Sequence, residues 1–203
     1  MNFDFIFMLA VLLMSVVIHE VSHGYMALFL GDKTALYQNR LTLNPIRHID
    51  IWGTIVIPFF SILLGGIVFG WAKPVPYNPY NLKWHKWGEA VVALAGPASN
   101  ISLAIVAGLL IRFVGGNMSL AVFQIISIIV FVNIVLAIFN LIPVPPLDGS
   151  KLLIALVPVR FHHLVHRLES FGLIIIIILL LTFGSVIPFV VTFLFKLITG
   201  VSF

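Results

Sequence analysis

Five apolar runs dominate the chain: about Phe3 to Leu30, Ile51 to Trp71, Glu89 to Phe113, Met118 to Ile142 and Phe171 to Thr199. Each is near or above the roughly 20 residues that cross the hydrocarbon of a bilayer. Loops shorter than about thirty residues join them, which leaves no room for an inserted soluble module. Composition agrees: of 203 residues 61% are hydrophobic and 9% charged, against about 45–50% and about 25% in a soluble domain. The expected class is an all-α membrane protein, one integral-membrane domain over residues 1–203. The opening run lacks a basic leader and continues into residues that look functional, so it is expected to stay attached.

Charge sets the expected threading. Lys33, Arg40 and Arg47 lie in the first loop, Lys73, Lys83 and Lys86 in the second, Lys151, Arg160 and Arg167 in the fourth, and none in the turn Val114 to Asn117. The positive-inside rule puts all three basic loops in the cytoplasm. A full crossing by 51–71 would separate the first loop from the second. Pro58, Gly65 and Gly66 therefore predict a re-entrant hairpin there, tolerable only if protein or a wet cavity covers it. The remaining runs, about 3–30, 89–113, 118–142 and 171–199, are the expected spans, the last either kinked at Gly184 and Pro188 or a second hairpin. The formal charge of +4, scattered over short loops, suits anionic lipid better than nucleic acid, and no nucleic-acid partner is expected.

Polar residues inside the first run are costly, about 2.5–3.5 kcal/mol or more for an ionisable group on insertion scales. The run carries VVIHEVSHGYM, hence His19, Glu20 and His23. Four helical residues span about 400°, which stacks both imidazoles on one face roughly 6 Å apart along the axis. Two such nitrogens can hold one metal ion, and Glu20, about 100° away, can reach a water beside it, as in HExxH sites. A catalytic zinc takes three protein ligands. With no Cys, the third must be His or a carboxylate, and beyond Glu20 the acids are Asp4, Asp32, Asp50, Glu89, Asp148 and Glu169. Asp148 stands out in FNLIPVPPLDG, where prolines bar helix and Gly149 permits a turn, so that extended backbone returns a carboxylate towards the bundle. The expected topology puts it at the depth of His19 and His23. A competing explanation makes Asp148 the N-cap of the helix that follows.

HEVSH, then AGPASN, then NLIPVPPLDG, in that order, resembles the site-2 protease family of intramembrane zinc metalloproteases over nearly the whole chain. GDKTALYQNRLTLNPIRHIDIWGT and FGWAKPVPYNP resemble the small prokaryotic branch without a PDZ domain, with Asn39 standing where a Gly is expected. The resemblance implies one Zn2+ per chain on His19, His23 and Asp148, Glu20 as catalytic base, and Asn140 as a polar neighbour of the site. It implies a transmembrane protein as substrate and leaves the oligomeric state open, while the threading expected from the basic loops puts the active site on the cytoplasmic side of the cell membrane.

Other residues have roles of their own. Asn100 is expected to hydrogen-bond between helices or to substrate backbone, with Gly96 and Pro97 serving close packing and a bend. NRLTLNP alternates at strand period, with Leu41 and Leu43 on one side. It predicts a short membrane-surface β element to which an unwound substrate adds. His162, His163 and His166, like His48 and His85, are expected at the surface, and Trp71, Trp84, Trp87, Tyr77 and Tyr80 in an interfacial belt. A metal transporter and a zinc-bound scaffold are the rival classes.

Overall fold

The computed structural model describes residues 2–56, 72–158 and 170–201. Seven α-helices are present among them: α1 (Asn2–Phe29), α2 (Thr34–Tyr37), α3 (Lys86–Val114), α4 (Leu120–Leu141), α5 (Gly149–Leu156), α6 (Gly172–Phe183) and α7 (Val186–Thr199). Among the described residues three helical stretches are long and apolar enough to cross a membrane: Ile6–Phe29, Lys86–Asn117 and Leu120–Leu141. They coincide with three of the expected spans, and the protein is a multi-pass membrane protein.

Helix α3 is the centre, packed against α1, α4, α5 and α7. Its small residues let neighbours approach closely. Ala104, Ala107 and Ile111 form a core with Val130 and Ile134 of α4 and Val191 and Phe195 of α7. Much of the outer surface is apolar, including Ile105, Val106, Phe113, Leu120 and Phe193, as lipid as a solvent allows.

Local chemistry ends the helices where the sequence turns. Gly31, at φ 109°, takes the left-handed conformation after α1, and the Asp32 N–H reaches back to the Ala27 carbonyl at 2.9 Å, a glycine-dependent C-cap. Asn39, at the position of the expected Gly, also has positive φ, 53°, which Asn tolerates better than most residues. Ser119 caps α4 by accepting the Val122 N–H at 3.4 Å.

The first two basic loops are tied directly together. Arg40 Nη2 donates to the carbonyls of Lys73 (2.8 Å) and Pro74 (3.2 Å), and the Lys73 N–H donates to the His48 carbonyl at 2.9 Å. Fully buried Asp32 accepts from Thr34 Oγ1 (2.7 Å), Thr34 N (3.3 Å), Asn81 Nδ2 (2.8 Å) and Asn78 N (2.8 Å). Residues 48 and 73 thus lie at the same end of the bundle. The re-entrant hairpin expected between them lies mostly outside the described residues; a π-helical turn, Ile51–Val56, opens the segment.

Burial pushes the Asp32 carboxyl up, but its hydrogen bonds, led by that from Asn81, outweigh this and hold it below the usual carboxylate range. A lowered folded-state pKa contributes stability above the unfolded value, lost as pH falls through the folded one. Asp32→Asn, which sets an amide N–H against a donor, is expected to cost about 1–3 kcal/mol at neutral pH. The loss should shrink towards acid pH in thermal unfolding of the detergent-solubilised protein.

Helix α6 begins where Gly172 presses on the Pro145 carbonyl, and α7 ends beside Arg112, whose Nη1 donates to the Leu197 carbonyl at 3.0 Å. The pair therefore connects the two ends of the bundle, bent by 73° at its break.

Two expectations are corrected. The β element over NRLTLNP does not form: no strand occurs among the described residues, and 40–44 is irregular. The neighbouring segment offers prolines at 74 and 76, which cannot donate to a ladder, and Arg40 occupies its carbonyls at 73 and 74. Leu41 is half-buried, whereas Leu43 is 55% exposed. His48 is not a surface residue: it is fully buried and its Nε2–H donates to the Thr42 carbonyl at 2.9 Å. His85 is exposed, as are Tyr80, Trp84 and Trp87, whereas Tyr77 turns partly inwards. His162, His163, His166 and Trp71 lie outside the described residues.

Candidate metal centre

Helical spacing stacks His19 and His23 on the face of α1 turned towards α3, with ring centroids 4.6 Å apart and ring planes at 86°. Both side chains are buried. Helix α4 ends at Leu141, and 142–148 folds into tight turns rather than extended backbone: Val144 N–H bonds to Ile142 O (2.8 Å) and Leu147 N–H to Val144 O (2.9 Å). These turns bring Asp148 to the histidines. Asp148 begins α5 but its side chain makes no capping bond. Its Oδ2 lies 3.0 Å from His19 Nε2 and 3.2 Å from His23 Nε2, and the two Nε2 atoms are 3.0 Å apart.

The far side of each ring fixes its tautomer. His23 Nδ1 lies 2.7 Å from the Val92 carbonyl, which can only accept, so Nδ1 carries the proton. His19 Nδ1 lies 2.6 Å from Asn100 Oδ1. The Asn100 amide is oriented because its Nδ2 donates to Asn133 Oδ1 at 2.8 Å. Asn133 Nδ2 in turn donates to Ser15 Oγ (3.0 Å) and the Ile129 carbonyl (2.9 Å). His19 Nδ1 is therefore also a donor. Both Nε2 lone pairs then face each other and a carboxylate oxygen, which is unfavourable without a cation between them.

That donor set fits a metal. Two imidazole nitrogens and one carboxylate oxygen make a catalytic zinc set, and a tetrahedral ion with bonds of about 2.0–2.1 Å needs donor separations of about 3.3 Å. The observed 3.0–3.2 Å is close to this. Outer-shell acceptors on each Nδ1–H are what zinc-ligating histidines usually have. Among the described residues no other His, Asp or Glu group converges in this way.

Gly96 of α3 makes room for the rings: a Cβ there would fall on His23 Nε2 and on Nε2 and Cε1 of His19. Glu20, half-buried, turns to the loop after residue 71, where its Oε2 accepts the Val75 N–H at 2.9 Å. Burial pushes the Tyr77 hydroxyl up to about 12, with the Glu89 and Asp148 carboxylates adding to the shift. Tyr77 thus remains a donor.

Of the residues singled out from the sequence, His19, His23, Asp148 and Asn100 converge, and Glu20 is adjacent in the chain. Asn140 donates to the Leu136 carbonyl of its own helix at 3.0 Å. Leu41 packs against Gly24, one turn beyond Glu20. Asn133, Ser15 and the Val75 amide were not singled out. The available signal for Asn133 was an amide deep in an apolar span, which is costly unless bonded.

The chain matches the family described as Peptidase family M50 over residues 7–118 and 114–183. It is 39% identical over 183 residues to "Putative zinc metalloprotease YwhC" of Bacillus subtilis (strain 168), covering 87% of this chain and 80% of the relative. It is 30% identical over 182 residues to "Putative zinc metalloprotease Rip2" of Mycolicibacterium smegmatis, covering 88% and 68%. For the protein of that name in Mycobacterium tuberculosis (strain Erdman) the identity is 27% over 176 residues, covering 82% and 67%. No solved structure matches the chain. With most of its length matched, the chain belongs to peptidase family M50, the site-2 protease family.

Proposed function

We propose that the protein is an intramembrane zinc metalloprotease that hydrolyses peptide bonds in or beside transmembrane helices of substrate proteins. The observation that carries this is three mutually facing lone-pair donors, His19 Nε2, His23 Nε2 and Asp148 Oδ2, at 3.0–3.2 Å with both Nδ1–H groups committed elsewhere. One zinc ion per chain would be held there and would supply a Lewis acid that polarises the scissile carbonyl and acidifies the attacking water. Glu20 receives the water's proton on its carboxylate and passes it to the leaving amine. Asn100, itself aligned by Asn133, keeps the His19 tautomer correct. Asn140, on the last turn of α4 before the loop bearing Asp148, is a polar neighbour of the site.

A helical substrate hides its carbonyls in its own hydrogen bonds and must unwind to be cut. The irregular segment 40–44 and the surface cavity of about 360 Å³ beside it, lined by Leu36, Asn39, Leu41, Thr42, Asn44 and Arg47, offer a place for the unwound stretch. Leu41 and Leu43 provide apolar contact there. The linked loops bearing Arg40 and Lys73 support a cytoplasmic orientation for that end of the bundle.

The test is cleavage of a transmembrane reporter by purified protein in liposomes. Cleavage should stop on chelation and return with stoichiometric zinc. Cleavage indifferent to chelation, or protein that binds no divalent metal, would overturn the reading.

A further inference from the structure

Val75 lies between Pro74 and Pro76, so its N–H is the only backbone donor of that tripeptide, and it is the one directed at Glu20 Oε2, 2.9 Å away. The tripeptide is held from both sides. Buried Arg40 binds the carbonyls of Lys73 and Pro74, His48 accepts the Lys73 N–H, and buried Asp32 accepts the Asn78 N–H. The Val75 side chain, 5% exposed, seats against Gly24, where a Cβ would come within 2.7 Å of Val75 Cγ1. Gly24 is one turn beyond Glu20 on the same face of α1. A segment so restrained, with its amide aimed at one carboxylate oxygen, is a fixed mount.

We propose that the Val75 backbone amide is a positioning group for Glu20. It fixes the rotamer of the carboxylate by binding Oε2 and leaves Oε1 to take the proton from the attacking water. The proline-valine-proline segment and the Gly24 notch serve to hold that single N–H in place. This rests on the reading of Glu20 as the base. It assigns to the second basic loop a part in turnover that the side chains of Val75 and its neighbours could not play, since none of them carries a polar group.

The test uses the full chain with zinc, reconstituted in liposomes, with three changes at position 75. Replacing Val75 by its α-hydroxy acid exchanges the N–H for an ester oxygen and keeps the side chain. Val75→Pro removes the donor genetically, and Val75→Ala keeps the donor while removing packing. The ester and Val75→Pro should lower kcat roughly 10–100-fold, as loss of an outer-shell partner does elsewhere, with KM and zinc content unmoved. Val75→Ala, which keeps the donor but loosens its seat against Gly24, should lower kcat by clearly less than the ester does and also lower the unfolding temperature. Wild-type kcat in the ester form at full zinc occupancy would overturn the proposal, as would a Val75→Ala loss equal to that of the ester. Should Val75→Pro not fold, the ester decides. Glu20→Gln separates the two levels: if it still cleaves, the reading of Glu20 has failed, whereas a dead Glu20→Gln beside a fully active ester form condemns only the positioning role.

Discussion

Glu20→Gln is expected to leave zinc bound and to slow reporter cleavage by about 10²–10⁴-fold, the usual contribution of a positioned acid–base group. The two side chains have the same shape. A glutamine carbonyl can accept the Val75 N–H that Glu20 Oε2 accepts at 2.9 Å, so the loop should stay seated. What the variant lacks is a group able to take a proton at neutral pH. Zinc content by metal analysis should match wild type, because the three donors of the centre are untouched, and KM should change little. Two measurements together decide it: zinc retained with cleavage lost places the defect in the chemical step. Cleavage at the wild-type rate would make Glu20 a mere loop anchor, and metal movement across the liposome that persists in the variant would favour a transit site.

The second large effect is expected from Gly96→Ala, a single methyl group. Its Cβ would collide with both imidazoles, and neither ring has freedom to yield. His19 is held through Nδ1 by Asn100 at 2.6 Å and His23 by the Val92 carbonyl at 2.7 Å. Relief requires either breaking one of these bonds or moving α3 away from α1. Overpacking of this kind costs about 1–3 kcal/mol, and loss of an outer-shell bond weakens metal binding by roughly 10–100-fold. Competition titration with a zinc chelator should show that weakening, cleavage should fall with it, and the unfolding temperature should drop. Wild-type zinc affinity would mean that α3 does not lie against the rings as described.

Much of this was legible in the sequence, and the part that was not shares a physical cause. Span positions follow from the length of apolar runs, and the pairing of His19 with His23 follows from helical period alone. Asp148 could be singled out because prolines must end the helix before it. By contrast, Asn133 and Ser15 reach His19 only through contacts between helices distant in sequence, and no spacing encodes those. The Val75 amide is backbone, so no letter announces it. The expected strand over NRLTLNP failed for a related reason: alternation describes one strand, but a ladder needs a partner, and the nearby segment has proline where donors are required. His48 was misassigned because charge and hydropathy place a loop on the surface without showing which side chain turns inward.

The bonds from Ser15 through Asn133 and Asn100 to His19 link α1, α4 and α3 in one unbroken relay. A slide of α4 along its neighbours by about an ångström would exceed the tolerance of a hydrogen bond, so the relay is intact in one register of the three helices only. The orientation of the His19 ring is therefore tied to how α4 sits against α1 and α3.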